Sequence, residues 1–294
     1  MMSLSFRRPC LEDRQEVKKI LEKSGNIDSA SAFGTLYLWA EGYDINICMQ
    51  NGVLFKKSGE SYGFPRGAEN DAHLKSCLEA LKQNCLKSEK FVLDDLLEND
   101  VRELDRIFPG KFSFSKNRDN AEYVYDIKNL AQLSGKKYHS KRNHISKFSK
   151  LYEWKYIPCI KNMECVDFFE KWFKIYSKDE EKFNKQEYVA IKKALENFEI
   201  LGLSGGILEA NGKIVACTIG ERINKDALLV HFEKALLEFE GSYSVINNEF
   251  CKSEAKNFRL VNREEDMGIQ GLRKSKLSYK PMLLLNKYTA VWED

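Results

Sequence analysis

Apolar positions in the first part of the chain recur at helical and strand periods. Val17, Ile20, Leu21 and Ser24 share one face of a helix that begins behind Pro9-Cys10-Leu11-Glu12-Asp13 and ends at Gly25. Residues 45–49 and 53–57 flank Gln50-Asn51-Gly52, and Asn-Gly between two apolar runs predicts a hairpin. Leu74, Leu78, Leu81 and Cys85 mark an amphipathic helix, and Phe91-Val92-Leu93 the next strand. Residues 97–108 read as a helix stopped by Pro109-Gly110, and 123–127 as a closing strand.

The second part has the same character in sharper form. Residues 154–159 are strand-like. Val166, Phe169, Trp172, Phe173 and Tyr176 form one helical stripe, and Tyr188, Ile191, Leu195 and Phe198 another. Three strands follow, over 206–210, 213–222 and 227–233, with turns at Asn211-Gly212 and Asn224-Lys225-Asp226. A helix over 243–258 turns Tyr243, Ile246, Phe250 and Phe258 inward; 259–262 is a short strand and 282–292 a long final one. Strand, two helices, three-stranded meander, helix, strand, helix, strand is the element order of the GNAT acyltransferase fold. The looser first part suggests a tandem pair, an α/β protein with mixed sheets: an N-terminal domain over 1–130, a basic connecting helix over 131–153, and a C-terminal domain over 154–294 carrying the site. No residue-level repeat links the halves.

Composition narrows the function. The 294 residues carry 47 Lys+Arg against 44 Asp+Glu, a formal charge of +3, which excludes a generic nucleic-acid binder held by bulk charge. The eight cysteines form no CxxC pair and no two of them lie near a histidine at zinc-ligand spacing, so no metal site is expected. The N-terminus lacks the apolar core of a signal peptide, and no segment reaches the ~20 apolar residues of a membrane span. The expected compartment is the cytoplasm. The charge is unevenly distributed, however. Residues 127–152 contain no acid, while Lys128, Lys136, Lys137, Lys141, Arg142, Lys147 and Lys150 supply seven positive charges, with His139 and His144 beside them. Such a run is either a solvated helix face or a phosphate- and carboxylate-binding one.

Three segments carry a family likeness. They are Gly135-Lys136-Lys137-Tyr138-His139-Ser140-Lys141-Arg142-Asn143-His144; His231-Phe232-Glu233-Lys234-Ala235 with Gly241-Ser242-Tyr243 and Asn247; and Asn262-Arg263-Glu264-Glu265-Asp266-Met267-Gly268 running into Gly271–Pro281. Together they resemble the family named for the C-terminal, cytosolic domain of phosphatidylglycerol lysyltransferase, which is similar in fold to the Fem-type aminoacyltransferases. The resemblance implies a tandem GNAT fold and transfer of an aminoacyl group from aminoacyl-tRNA, whose acceptor end would be a partner, to an amine or hydroxyl of a small molecule or peptide. The lipid-modifying members carry a transmembrane half with no counterpart in this sequence.

Strand alternation over 227–233 places Leu229, His231 and Glu233 on one face. A histidine and a glutamate there suit general-base work, because imidazole titrates near ~6.5; the plainer alternative is that backbone or Lys234 satisfies both. His231 and Glu233 are the expected catalytic pair. Asn247, Asn262, Arg263, Lys276, Ser278 and Tyr279 are the expected substrate-binding residues, and Lys136, Lys137, Lys141, Arg142 and Lys147 the anion-binding ones. Where a CoA-dependent enzyme carries a glycine-rich pyrophosphate turn, this sequence reads Leu237-Glu238-Phe239-Glu240-Gly241-Ser242-Tyr243, and its two glutamates would repel a pyrophosphate. No cofactor is therefore expected, and acetyl-CoA is disfavoured. The competing accounts are a non-catalytic ligand- or RNA-binding module and a CoA-dependent N-acetyltransferase.

Overall fold

Both Asn-Gly dipeptides turn as their chemistry requires. Asn51 and Gly52 have φ of 51° and 75°, and Asn211 and Gly212 have 50° and 74°. Positive φ at both central positions is the type I′ geometry that matches strand twist. The resulting registers close on Gln50↔Val53 and Ala210↔Lys213. The computed structural model describes residues 3–85, 90–158, 162–176 and 182–293; Cys159, read as the end of a strand, lies outside them.

In chain order the first elements are α1 (Arg14–Ser24), α2 (Phe33–Leu38), β1 (Ile45–Gln50), β2 (Val53–Ser58), β3 (Ser61–Tyr62) and α3 (Asp71–Asn84). Next come β4 (Val92–Leu96), α4 (Glu98–Ile107), β5 (Phe112–Asp126), α5 (Ile127–Gln132), α6 (His139–Leu151) and β6 (Trp154–Ile157). They are followed by α7 (Asn162–Tyr176), α8 (Lys182–Glu196), α9 (Phe198–Leu201), β7 (Leu203–Ala210), β8 (Lys213–Arg222) and β9 (Ala227–Ala235). The chain closes with α10 (Ser242–Glu254), β10 (Leu260–Asn262), α11 (Gln270–Ser278) and β11 (Leu283–Trp292).

The chain divides into two units, one of Met1–Glu122, Glu265–Gly268 and Leu284–Asp294, the other of Tyr123–Glu264 and Ile269–Leu283. In the first, strands follow the order β1-β2-β3-β4-β11, then the N-terminal part of β5. The final strand, which follows the C-terminal elements in sequence, thus pairs antiparallel with β4 in the first unit, Val291 opposite Val92. Its core is built from Phe55, Leu78, Leu81, Leu93, Leu104 and Ala290, with Phe108, Phe112 and Trp292 meeting edge to face.

A charged group lies at the centre of this unit. Lys287 is 2% exposed, and its Nζ stands 3.0 Å from Asp28, 2.8 Å from Asp95 and 2.9 Å from Glu122. Burial alone would discharge the lysine, but three carboxylates around one ammonium hold its pKa well above the usual value. In return Lys287 and Lys56 keep Asp95 ionised against its own desolvation. Ser31 donates to Asp28, and Ser29 to Glu122 through both its backbone N–H and its hydroxyl. All three ammonium hydrogens therefore have an acceptor.

In the second unit the last residues of β5 lead into the order β10-β9-β8-β7-β6. Strand β10 runs parallel to β9 and antiparallel to β5; β6 through β9 are antiparallel. Helix α10 packs Val245 and Ile246 on Leu208, Val215 and Ala216, with Phe148 of α6 in the same core. No helix of the described residues is long and apolar enough to cross a membrane.

Lys287→Met would leave Asp28 and Glu122 buried without their cation. The expected loss is about 3–5 kcal/mol of stability, read as a lower urea midpoint; an unchanged midpoint would mean that water reaches the cluster.

Candidate functional site

The sequence expectation that His231 and Glu233 share a face fails at a β-bulge. Strands β8 and β9 pair Thr218↔Glu233 and Ile219↔Phe232, then resume at Gly220↔Val230, so His231 has no cross-strand partner. A Cβ on Gly220 would stand 2.7 Å from the Leu229 carbonyl and 3.1 Å from Phe250 of α10, so the bulge needs glycine there, and that face of β8 looks onto α10. Glu233, opposite Thr218, faces α10. His231 turns to the other face and meets Glu221.

His231 is accordingly held between acids. Its Nε2 is 3.0 Å from Glu221 Oε2, its Nδ1 3.6 Å from Glu264 Oε1, and the ring is fully buried. Burial favours the neutral ring, but hydrogen bonding to Glu221 and the nearby Glu264 outweigh it and push the pKa up to about 9. An imidazole already protonated at neutral pH does not accept a substrate proton. The pairing with Glu221 escapes a sequence search because ten residues and a bulge separate the two; Gly220, a glycine inside an apolar strand, is the one local signal.

Glu233 sits in a different setting. Its Oε1 accepts a 2.7 Å hydrogen bond from Arg263 Nη2, and its Oε2 a 3.3 Å bond from Asn247 of α10. Arg263 leaves the end of β10, where its backbone N–H donates to Tyr123 O and its carbonyl accepts from Lys276 Nζ at 2.6 Å. Its guanidinium carbon lies 4.9 Å from the ring centre of Tyr279 and 5.9 Å from that of Tyr125. Tyr125 donates to the Lys276 carbonyl and Tyr279 to Ser244. Burial pushes both phenols up and raises the neighbouring Cys251 thiol to about 12, so none of the three ionises near neutrality.

Three buried polar atoms around Glu233 lack a hydrogen-bond partner among the described residues: Thr218 Oγ1, Asn247 Oδ1 and Arg263 Nη1. Buried polar groups are rarely left so, and each costs about 1–3 kcal/mol. A ligand that satisfied them would bring an oxygen to Arg263 and an N–H or O–H to Asn247.

The structure divides the remaining expected residues. Asn247, Arg263, Lys276 and Tyr279 come together, and Lys141 joins them from α6, its Nζ 3.8 Å from the Tyr279 ring centre. Asn262 instead braces the backbone, its Oδ1 accepting from Glu264 N, and Ser278 bonds Ser275 O within its own helix. Lys136 and Lys137 are exposed. Arg142 binds the Leu133 and Gly135 carbonyls and so ties α6 to the preceding loop. Lys147 pairs with Glu240, and Tyr176 donates to Glu238, so both glutamates of the α10 turn have partners. Asn248, next to Asn247, donates to the Leu130 and Ala131 carbonyls at the end of α5. Tyr125 and Thr218 were not anticipated; nothing in their local sequence distinguishes them from core. No cluster of metal-binding side chains occurs among the described residues.

Residues 21–291 match the family described as phosphatidylglycerol lysyltransferase, C-terminal. The chain belongs to that family. A solved protein of unknown function from Bacteroides thetaiotaomicron is 37% identical, with 99% of this chain and 100% of that one covered and a TM-score of 0.92. The C-terminal domain of a putative lysylphosphatidylglycerol synthetase from Agrobacterium fabrum aligns at 13% identity over 96% and 92% of the two chains, with a TM-score of 0.67. A tandem GNAT protein of clavulanic acid biosynthesis aligns at 10% identity over 99% of each chain, with a TM-score of 0.50. The fold is the tandem GNAT-like, acyltransferase-type α/β fold expected from the element order.

His231 contributes stability that is full below its unfolded pKa of ~6.5 and is lost as pH rises through about 9. His231→Gln is expected to remove about 3 kcal/mol at pH 6 and little above pH 9. Urea titrations of both proteins across that range test this, and a pH-independent difference would contradict a protonated His231.

Proposed function

We propose that the second unit transfers an aminoacyl group from aminoacyl-tRNA to an amine or hydroxyl of a small molecule or peptide, in the cytoplasm, where charged tRNA is made. The observation that carries this is the buried Glu233–Arg263 pair with unpartnered polar atoms beside it. An aminoacyl ester has the complementary groups. Its carbonyl oxygen suits Arg263 Nη1, and its α-ammonium suits Asn247 Oδ1. As the amine attacks, charge develops on that oxygen, where a fixed guanidinium stabilises it. The ester is already activated, so orientation supplies much of the remaining acceleration. The exposed lysines 136, 137 and 150 offer phosphates a one-sign surface on the same unit.

Two details weigh against acetyl-CoA. The turn into α10 is packed by α6: a Cβ on Gly241, which has φ of 97°, would lie 2.6 Å from the His144 carbonyl. Glu238 and Glu240 stand where a pyrophosphate would approach. A second reading, a ligand- or RNA-binding module, is favoured by the hydrogen bonds that occupy both oxygens of Glu233 and by a His231 that already holds its proton.

Incubation with a mixture of charged tRNAs and a panel of amines and alcohols is the test. Arg263→Lys keeps the charge but loses the forked geometry and is expected to slow transfer about 10²–10³-fold. Lys136→Glu with Lys137→Glu is expected to abolish a tRNA band shift. Binding without transfer from any charged tRNA would leave the module reading, and micromolar acetyl-CoA binding by calorimetry would restore the CoA account.

A further inference from the structure

A transferase site of this kind must move a proton, and the groups around Glu233 are nearly all unable to do so. Both carboxylate oxygens of Glu233 are already taken by Arg263 and Asn247. His231 is protonated and lies on the other face of β9. Tyr125, Tyr279 and Cys251 hold their protons, and Lys276 is committed to the Arg263 carbonyl.

Lys141 differs from the other cations of α6. Its Nζ lies over Tyr279, whose ring it shares with Arg263, and no carboxylate pairs with it among the described residues. The cation–π contact satisfies the charge without occupying the N–H donors, which remain available to a substrate.

We propose that Lys141 is the acid–base residue of this site, taking the proton of the attacking nucleophile and delivering it to the leaving oxygen. The proposal rests on the transfer reading. The step balances without a further reactant. The acceptor nitrogen or oxygen forms a bond to the carbonyl carbon while its proton passes to the neutral Lys141 amine. The carbon–oxygen bond to the tRNA ribose then breaks, and the Lys141 ammonium protonates the departing oxygen, which restores the amine. The groups that act on it from the packed elements are Arg263, Glu233 and the Tyr279 ring, with Lys137, Arg142 and His144 on its own segment. Partial burial and the positive charge of Arg263 lower its pKa, Glu233 raises it, and the balance is about 8. That is close to the value at which proton transfer is most effective near neutral pH.

The test combines a titration and a rate. In the ¹³C-methylated protein, the Lys141 signal, identified by its loss in Lys141→Arg, is expected to titrate near 8 and to move upward in Arg263→Gln, where the like charge is gone. A midpoint at the ordinary ~10.4 overturns the proposal whatever the transfer assay shows. With charged tRNA and glycinamide heading the acceptor panel, the wild-type rate is expected to rise with pH to a plateau above 8. Lys141→Arg keeps the charge and the ring contact, so it is expected to retain its melting temperature and tRNA band shift while transferring about 10²-fold or more slowly. A wild-type rate in Lys141→Arg overturns the proposal and leaves the transfer reading standing. No transfer by the wild type overturns both.

Discussion

The 2.7 Å bond between Glu233 and Arg263 requires several parts of the second unit to be correctly placed. Neither ion is tolerable there alone: the desolvation cost of a buried charge is several kcal/mol, and the pair is viable only with good geometry and further hydrogen bonds. Asn247 supplies one to Glu233. Arg263 is fixed from behind by Tyr123 and Lys276 and covered by two aromatic rings. Glu233 reaches it because the bulge at His231 resets the alternation of β9, and the bulge exists because Gly220 lets the Leu229 carbonyl approach. A side chain at 220 would press on Leu229 and Phe250 and displace the strand that carries Glu233.

The two units treat buried charge differently. Around Lys287 every donor of the ammonium meets a carboxylate, and two serines complete the acceptors. Such a cluster has no valence left for a ligand and acts as a strut. Around Glu233 the geometry is equally tight, yet Thr218, Asn247 and Arg263 each keep a polar atom unused. A fold that satisfies one buried network and leaves another short concentrates its unspent hydrogen bonding in the second unit.

Much of the architecture was legible because it is local. Asn-Gly turns, the stripe of Val17, Ile20 and Leu21, and the meander over β7–β9 follow from residues a few positions apart. Strand β5 is longer than its apolar end suggests, because Ser115–Asn120 is polar and mostly exposed and gives no period to read. The pairing of β11 with β4 depends on residues about two hundred positions apart, which no periodicity encodes. The site was legible in part for the same reason. Motif residues Glu233, Asn247, Arg263 and Tyr279 converge, but a bulge inverts the sense of a strand and is invisible to simple alternation. The Lys287 cluster draws on positions 28, 95, 122 and 287 and was not anticipated.

The acid-free run over residues 127–152 shows why a charge count describes this protein poorly. Of its seven cations, Arg142 holds a loop, Lys147 cancels Glu240, and Lys141 turns inward to the Tyr279 ring, which leaves Lys128, Lys136, Lys137 and Lys150 on the surface. Four exposed charges are too few for strong sequence-independent binding, since each phosphate contact contributes only one increment to the salt dependence. They are enough to orient one short stretch of phosphates over a site whose specificity comes from buried groups. Because Lys136 and Lys137 lie just before α6 and Lys150 near its end, a phosphate backbone settling on this segment would act on Lys141, whose amine lies over the Tyr279 ring. Recognition of the nucleic acid and the protonation state of the site would then be linked through a single stretch of chain.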